Sequence, residues 1–519
     1  MMTITWTDIP DPDVIRVGDV YYMTSTTMYF NPGCPIMKSQ DLIDWEIIGY
    51  VYDKISDSDK MTLTNRQNDY GNGTWASCLR YHNGVYYVAV AANSMNETYI
   101  FQTRNIENGK WDRYVLDGIY HDMSILFDDG RVFMVYGAGT IKLIELTSDC
   151  KKIKPNGLNK VIIENADISG GNSLAEGSHI YKIGGFYYIF IICWPKTGTK
   201  RRVQVCYRSD RIDGEYEGKV ILDETIGFQN AGIAQGGIVD TPSGDWFGLF
   251  FQDHGAVGRI PVCLPMKWED GWPVLECAES KKFSSLKGII KSDEFDLATM
   301  SLTWQWNHNP VDECWSLDAR PGWLRLTTES ICSSIYDARN TLTQRTYGPN
   351  CSGSVCIDVR GIKDGDVCGL AALQDDCGFV GVIMECGVKS VVMATYRDVI
   401  CTDGCAHKNT AGKCDAGFRV FCAAKGHRAK IIKSVPLYEN TIYLSVDFKF
   451  ADNDCNIDEA LFYYGLDGSK WHRIGENLKL TYKLTHFTGY RFALFNFATK
   501  QVGGFADFDY FRLQSNQNI

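Results

Sequence analysis

No run of about 18 apolar residues occurs anywhere in the 519-residue chain, so no helix in it is expected to span a membrane. Basic excess is missing as well. The net charge is −11 and the pI about 5.4, with no block of like charge, so nucleic acid is not an expected partner. Met1 to Pro10 carry neither the basic nor the apolar region of a secretory leader, and the expectation is a cytoplasmic protein. Nor is there a long helical period, which leaves strands and turns to build the fold.

Cysteine, by contrast, is plentiful. There are 19, an odd number, and without a leader the expected state is the reduced thiol. Cys401, Cys405, His407 and Cys414 cluster at spacings that match no standard zinc frame, so no metal site is expected there. Aromatic residues reach 13%, which suits β-structure and also supplies rings on which sugar C–H faces stack.

One small pattern occurs five times between residues 11 and 260. A turn glycine precedes an aromatic-rich strand in Gly18-Asp-Val-Tyr-Tyr-Met, Gly84-Val-Tyr-Tyr-Val, Gly130-Arg-Val-Phe-Met-Val, Gly185-Phe-Tyr-Tyr-Ile and Gly244-Asp-Trp-Phe-Gly. Seven to nine positions ahead of these glycines stand Asp11, Trp75, Asp122, Glu176 and Gln235. Strand-and-turn units recurring every 45 to 65 residues or so read as propeller blades. A near-constant offset then puts each marked residue at the same end of its blade's innermost strand, so the five converge on one mouth. From Ser292 onward, alternating segments such as Trp323-Leu-Arg-Leu and Phe505-Ala-Asp-Phe-Asp-Tyr-Phe read as a second all-β unit. The expected architecture is a five-bladed β-propeller over 1–285 and a jelly-roll β-sandwich over 286–519, with a linker near 278–290.

Glycosidic hydrolysis needs one carboxyl group as acid and another as base or nucleophile. Asp11, Asp122 and Glu176 supply both and one more, and an ionised neighbour raises the pKa of an acid. Taken singly each has a plainer reading: Asp11 as a turn residue between prolines, Asp122 as a backbone cap, Glu176 as a loop residue. The common register argues against three independent coincidences. Trp75, flanked by glycine, is a candidate ring at the pocket wall. Arg259 is a candidate donor to sugar hydroxyls, and Gln235, Tyr29 and Phe30 complete the candidate substrate-binding set.

These stretches, with Pro10-Asp-Pro-Asp, Gly73-Thr-Trp-Ala-Ser, His121-Asp-Met-Ser, Ala175-Glu-Gly-Ser-His and Trp268-Glu-Asp-Gly-Trp-Pro, resemble glycoside hydrolase family 43. Ser292-Asp-Glu-Phe, Leu302-Thr-Trp-Gln-Trp and Ala506-Asp-Phe-Asp-Tyr-Phe-Arg resemble its C-terminal concanavalin-like domain. The resemblance implies an inverting exo-glycosidase, with Asp11 as base, Glu176 as acid and Asp122 tuning the acid. The implied substrates are xylo- or arabinoxylo-oligosaccharides, releasing terminal β-D-xylose, α-L-arabinofuranose or both. Gln235 stands where many members carry a histidine that helps hold a channel cation. No cofactor is therefore required on this reading, and a structural calcium is left open, as is homo-oligomerisation. The other readings are an endo-arabinanase, a retaining fructan-type hydrolase and a non-catalytic sugar-binding protein. His121-Asp-Met, in place of Arg-Asp-Pro, counts against the fructan-type enzyme.

Overall fold

The computed structural model describes residues 2–168, 174–277, 280–396, 429–452 and 457–514. The Cys401, Cys405, His407 and Cys414 cluster lies outside them. Among the described residues the chain is made of strands, with only three-residue 3-10 turns as helix. No described helix is long and apolar enough to cross a membrane.

Five sheets, antiparallel apart from one added edge strand, form the propeller. Their innermost strands are Asp13–Val17, Thr74–His82, Ser124–Asp128, Ala175–Ile183 and Ile233–Asp240, and each lies beside the next around a closed ring. The hairpins that leave these strands follow from their turn residues. Asn83–Gly84, Asp129–Gly130 and Gly184–Gly185 take positive φ in succession, the geometry of two-residue turns that suit twisted strands. The second strands, such as Phe186–Cys193 and Val85–Ala92, are buried almost throughout because blades pack on both faces. In the fifth sheet Met2–Ile4 runs antiparallel to Arg259–Glu269 and closes the ring. Lys281–Phe283 runs parallel to Met2–Ile4 on its other side, so part of the stretch expected as linker is a strand. It escaped the sequence reading because all three of its residues are exposed and show no apolar alternation.

The second unit is a pair of eight-stranded sheets. Asn350–Asp358, Thr441–Lys449 and Phe505–Gln514 are among the strands of one, and Asp366–Leu373, Cys377–Glu385 and Arg491–Ala498 among those of the other. The described cysteines are free, and most are buried.

The two units share a seam. Phe30–Asn31, from the first blade's segment, pairs antiparallel with Gln305–Asn307 and becomes the edge strand of a sandwich sheet. Tyr29 and Phe30 are therefore each only 2% exposed. Tyr29 stacks on His308, and its hydroxyl meets His486 Nε2 at 2.8 Å. The Arg491 guanidinium lies 3.7 Å over the Phe30 ring. These contacts correct the expectation that the two rings bind substrate: they are buried in the joint between the units, where a sheet edge has been paired. Further bonds cross the same joint, from Thr7 Oγ1 to the Thr346 carbonyl (2.7 Å) and from Arg345 Nε to the Asp8 carbonyl (3.0 Å).

Candidate active site

The five marked residues share a break in regular pairing as well as an offset. In three blades it is a β-bulge: the register slips between Thr74 and Ser77, between Glu176 and His179, and between Ala234 and Gly236. In the other two, Asp11 and Asp122 lie two residues ahead of the inner strand with φ of 50° and 47°, and Gln235 at its bulge has φ 59°. Left-handed backbone at non-glycine residues is uncommon and costly, and it clusters where side chains must be re-aimed. Here it turns them out of the strand and over the mouth.

Asp11 is 3% exposed and held by a permanent cation. Arg259 Nη1 donates to its Oδ1 at 2.6 Å, and the Thr26 hydroxyl to its Oδ2 at 2.7 Å. Arg259 is itself fixed by Asp253 at 3.2 Å, which also accepts from Arg202 and from the Tyr482 hydroxyl at 2.6 Å. Burial would raise the Asp253 carboxyl, but Arg202 and Arg259 more than offset that and hold it low.

Glu176 has a titratable partner. His121 Nε2 lies 2.9 Å from Glu176 Oε2 and 3.5 Å from Asp122 Oδ2. The backbone N–H of Gly177 donates to Asp122 Oδ2 at 2.9 Å. Burial pushes Asp122 up to about 6; Glu176 and Asp11 add to the rise and His121 opposes it. Burial would likewise raise Glu176, yet the hydrogen bond and charge of His121, with Arg202 and Arg259, bring it below its usual value.

The wall of the mouth comes from both units. Trp75 stands edge-on to His121, with ring centres 5.8 Å apart, and to Phe487 at 5.6 Å. Phe487 belongs to the sandwich and lies under the Arg259 guanidinium at 3.8 Å. The Gln235 side chain covers Gly177, where a Cβ would come within 2.7 Å of it, and φ there is +73°. The structure thus brings Asp11, Asp122, Glu176, Trp75, Gln235 and Arg259 together and leaves out Tyr29 and Phe30. Sequence reasoning missed His121, Arg202, Asp253, Tyr482 and Phe487. The first sits beside a marked residue in the quoted stretch. The last two lie outside the repeat, where no offset points to them.

Beneath the mouth the axis is filled by a guanidinium. Arg80 donates to Asp13 Oδ2 (2.7 Å), Ser124 Oγ (2.6 Å) and the Ile125 carbonyl (2.9 Å), while Asp13 Oδ1 meets His179 Nδ1 at 3.2 Å. Calcium takes six to eight oxygen ligands. Asp13 Oδ2, Ser124 Oγ and the Ile125 carbonyl already serve Arg80 and the other Asp13 oxygen meets His179, so this donor set does not fit that ion.

The family model for glycosyl hydrolases family 43 matches residues 3–273. The chain belongs to this family. A second model, the beta xylosidase C-terminal concanavalin A-like domain, matches residues 292–514. Among curated relatives, a beta-xylosidase of Formosa agariphila is 26% identical, over 97% of this chain and 88% of its own. A non-reducing end α-L-arabinofuranosidase of Bacteroides ovatus is 28% identical, over 71% and 72%. A solved bifunctional GH43-CE protein of Bacteroides eggerthii matches 99% of this chain at 43% identity and a TM-score of 0.86, and this chain spans 63% of it. Another solved family 43 enzyme has an engineered active site that displays both endo-xylanase and exo-arabinofuranosidase activity. It matches 98% of each chain at 28% identity and a TM-score of 0.82.

Proposed function

We propose that the protein is an inverting exo-glycosidase that removes terminal β-D-xylose, α-L-arabinofuranose or both from xylan-derived oligosaccharides. The observation that carries this is the unequal partnering of two carboxyl groups at one mouth: Asp11 on Arg259, Glu176 on a histidine, His121, that also faces Asp122. Asp11, held in place by the Arg259 guanidinium, takes a proton from water as that water attacks the anomeric carbon. Glu176 protonates the departing oxygen, and Asp122 beside it disfavours early loss of that proton. Trp75 and Phe487 offer apolar faces to one sugar ring, and Arg259 offers donors to its hydroxyls.

The relatives named as β-xylosidase and α-L-arabinofuranosidase support the substrate class. The inward-reaching Phe487 supports exo over endo action, because it narrows the mouth from the sandwich side. The sandwich, on this reading, shapes the pocket. No metal is required, since Arg80 supplies the axial cation, and chelator treatment should leave the rate unchanged.

Initial rates on 4-nitrophenyl β-D-xylopyranoside, 4-nitrophenyl α-L-arabinofuranoside, xylobiose and linear arabinan test the proposal. Release of monosaccharide from the first three is expected. Internal fragments of arabinan would move the assignment to an endo-arabinanase, and no turnover of any would favour a sugar-binding protein.

A further inference from the structure

We propose that His121 is the proton-holding partner of Glu176, its Nε2 carrying, in the free protein, the proton that Glu176 delivers to the glycosidic oxygen. This rests on the reading of Glu176 as the acid.

The geometry is purpose-built. Consecutive residues of extended chain point to opposite faces. His121 and Asp122 are consecutive, yet with Asp122 at φ +47° a polar atom of each lies within 4.8 Å of the Glu176 carboxylate. The His121 carbonyl is pinned by the Gly137 N–H at 2.9 Å, and its ring lies edge-on to Trp75. The groups facing it are Asp122 on its own segment, Glu176 from the fourth blade, Trp75 from the second and Asp11 from the first. Arg202 and Arg259 act on Glu176 from beyond.

This arrangement meets a need that Glu176 alone cannot. An acid must hold a proton; burial would raise Glu176, but the bond and charge of His121, and after them Arg202 and Arg259, bring it below its usual range. The proton rests on the histidine instead. Burial would depress the imidazole, but Asp122 and the bond to Glu176 outweigh that and hold it up at about 9. Nε2 and Oε2 are 2.9 Å apart, within reach of a direct proton transfer from one to the other. A neutral sugar that covers them expels water, and a desolvated ion pair gives way to its neutral form.

The step balances. The Nε2–H bond breaks and an Oε2–H bond forms on Glu176, leaving neutral imidazole. That O–H then breaks as the C1–O bond breaks: the proton and the bonding pair both end on the leaving oxygen. Meanwhile water forms the new C1–O bond and yields its proton to Asp11, from which solvent carries it off. The imidazole takes up a proton from solvent after release. His121 touches no reacting atom, so it is a positioning residue that acts through Glu176.

The test compares leaving groups. His121→Gln keeps an amide donor near Nε2 but no titratable proton. Its rate on xylobiose should fall about 100-fold or more, and its rate on 2,4-dinitrophenyl β-D-xylopyranoside, which departs unprotonated, less than about tenfold. The basic limb of its kcat/KM profile should move down by about one pH unit or more. Equal losses on both substrates with an unmoved limb would overturn the proposal. Glu176→Ala is the control: if it too fails to discriminate, the acid assignment falls along with this one. If it discriminates and His121→Gln does not, only the role of His121 falls. Should the variant not fold, 15N-histidine NMR of the wild type decides. His121 should be imidazolium when free at pH 7.5 and neutral when the non-hydrolysable analogue 4-thioxylobiose is bound. A neutral ring in the free protein would refute the idea.

Discussion

The Asp11 and Glu176 sides of the mouth occupy the same blade position and are treated in opposite ways. Asp11 sits on an arginine, a cation that does not titrate in the working range, and on a hydroxyl. Glu176 sits on a histidine that is shared with a second carboxyl group. One side has a partner that does not titrate; the other has a partner that can. On the proposed reading, similar places on two blades give a base on one and an acid on the other, according to what each neighbour can hold.

The largest effect that would break this contrast is loss of either carboxyl group. Asp11→Ala should lower kcat on xylobiose by up to about 10⁴-fold with the fold intact, as measured by initial rates and circular dichroism. Next comes a change beneath both sides. The Asp13–Arg80 pair is almost wholly buried, so Arg80→Ala should cost about 3–5 kcal/mol in denaturant unfolding. Burial opposes the charge on Asp13, but Arg80 and His179 win and depress it to about 2. Its folded pKa lies below its unfolded one. Its contribution is therefore present above about pH 4 and lost as pH falls toward 2, which acid-unfolding curves can follow.

Asp122→Asn, smaller again, should cost about 100-fold and shift the basic limb of the rate profile to lower pH. The sign follows from charge: an anion beside His121 raises the pKa of the shared proton, and removing it lets that proton leave earlier. Phe487→Ala should be mildest, raising KM about tenfold with kcat little changed, because it removes a wall and not a proton site.

The blades and the carboxylates were legible because they recur. A turn glycine and an aromatic strand repeat, and the offset carries Asp11, Trp75, Asp122, Glu176 and Gln235 to one end. The bulges that aim three of them left only a jitter of one or two residues in that offset. What did not repeat did not show. Phe487 reaches the mouth from a loop of the other unit, and Tyr29 and Phe30 look like pocket rings but serve a sheet edge made between units. Lys281–Phe283 is an exposed strand without apolar alternation, so its sequence gives no strand signal.

The most direct measurement is the anomer formed first. Proton NMR of 4-nitrophenyl β-D-xylopyranoside hydrolysis, recorded before mutarotation, should show α-xylose appearing ahead of β-xylose. That is the product of water driven by Asp11 from the face opposite Glu176. β-Xylose first would mean a covalent intermediate, and the division of labour between the two sides would be wrong.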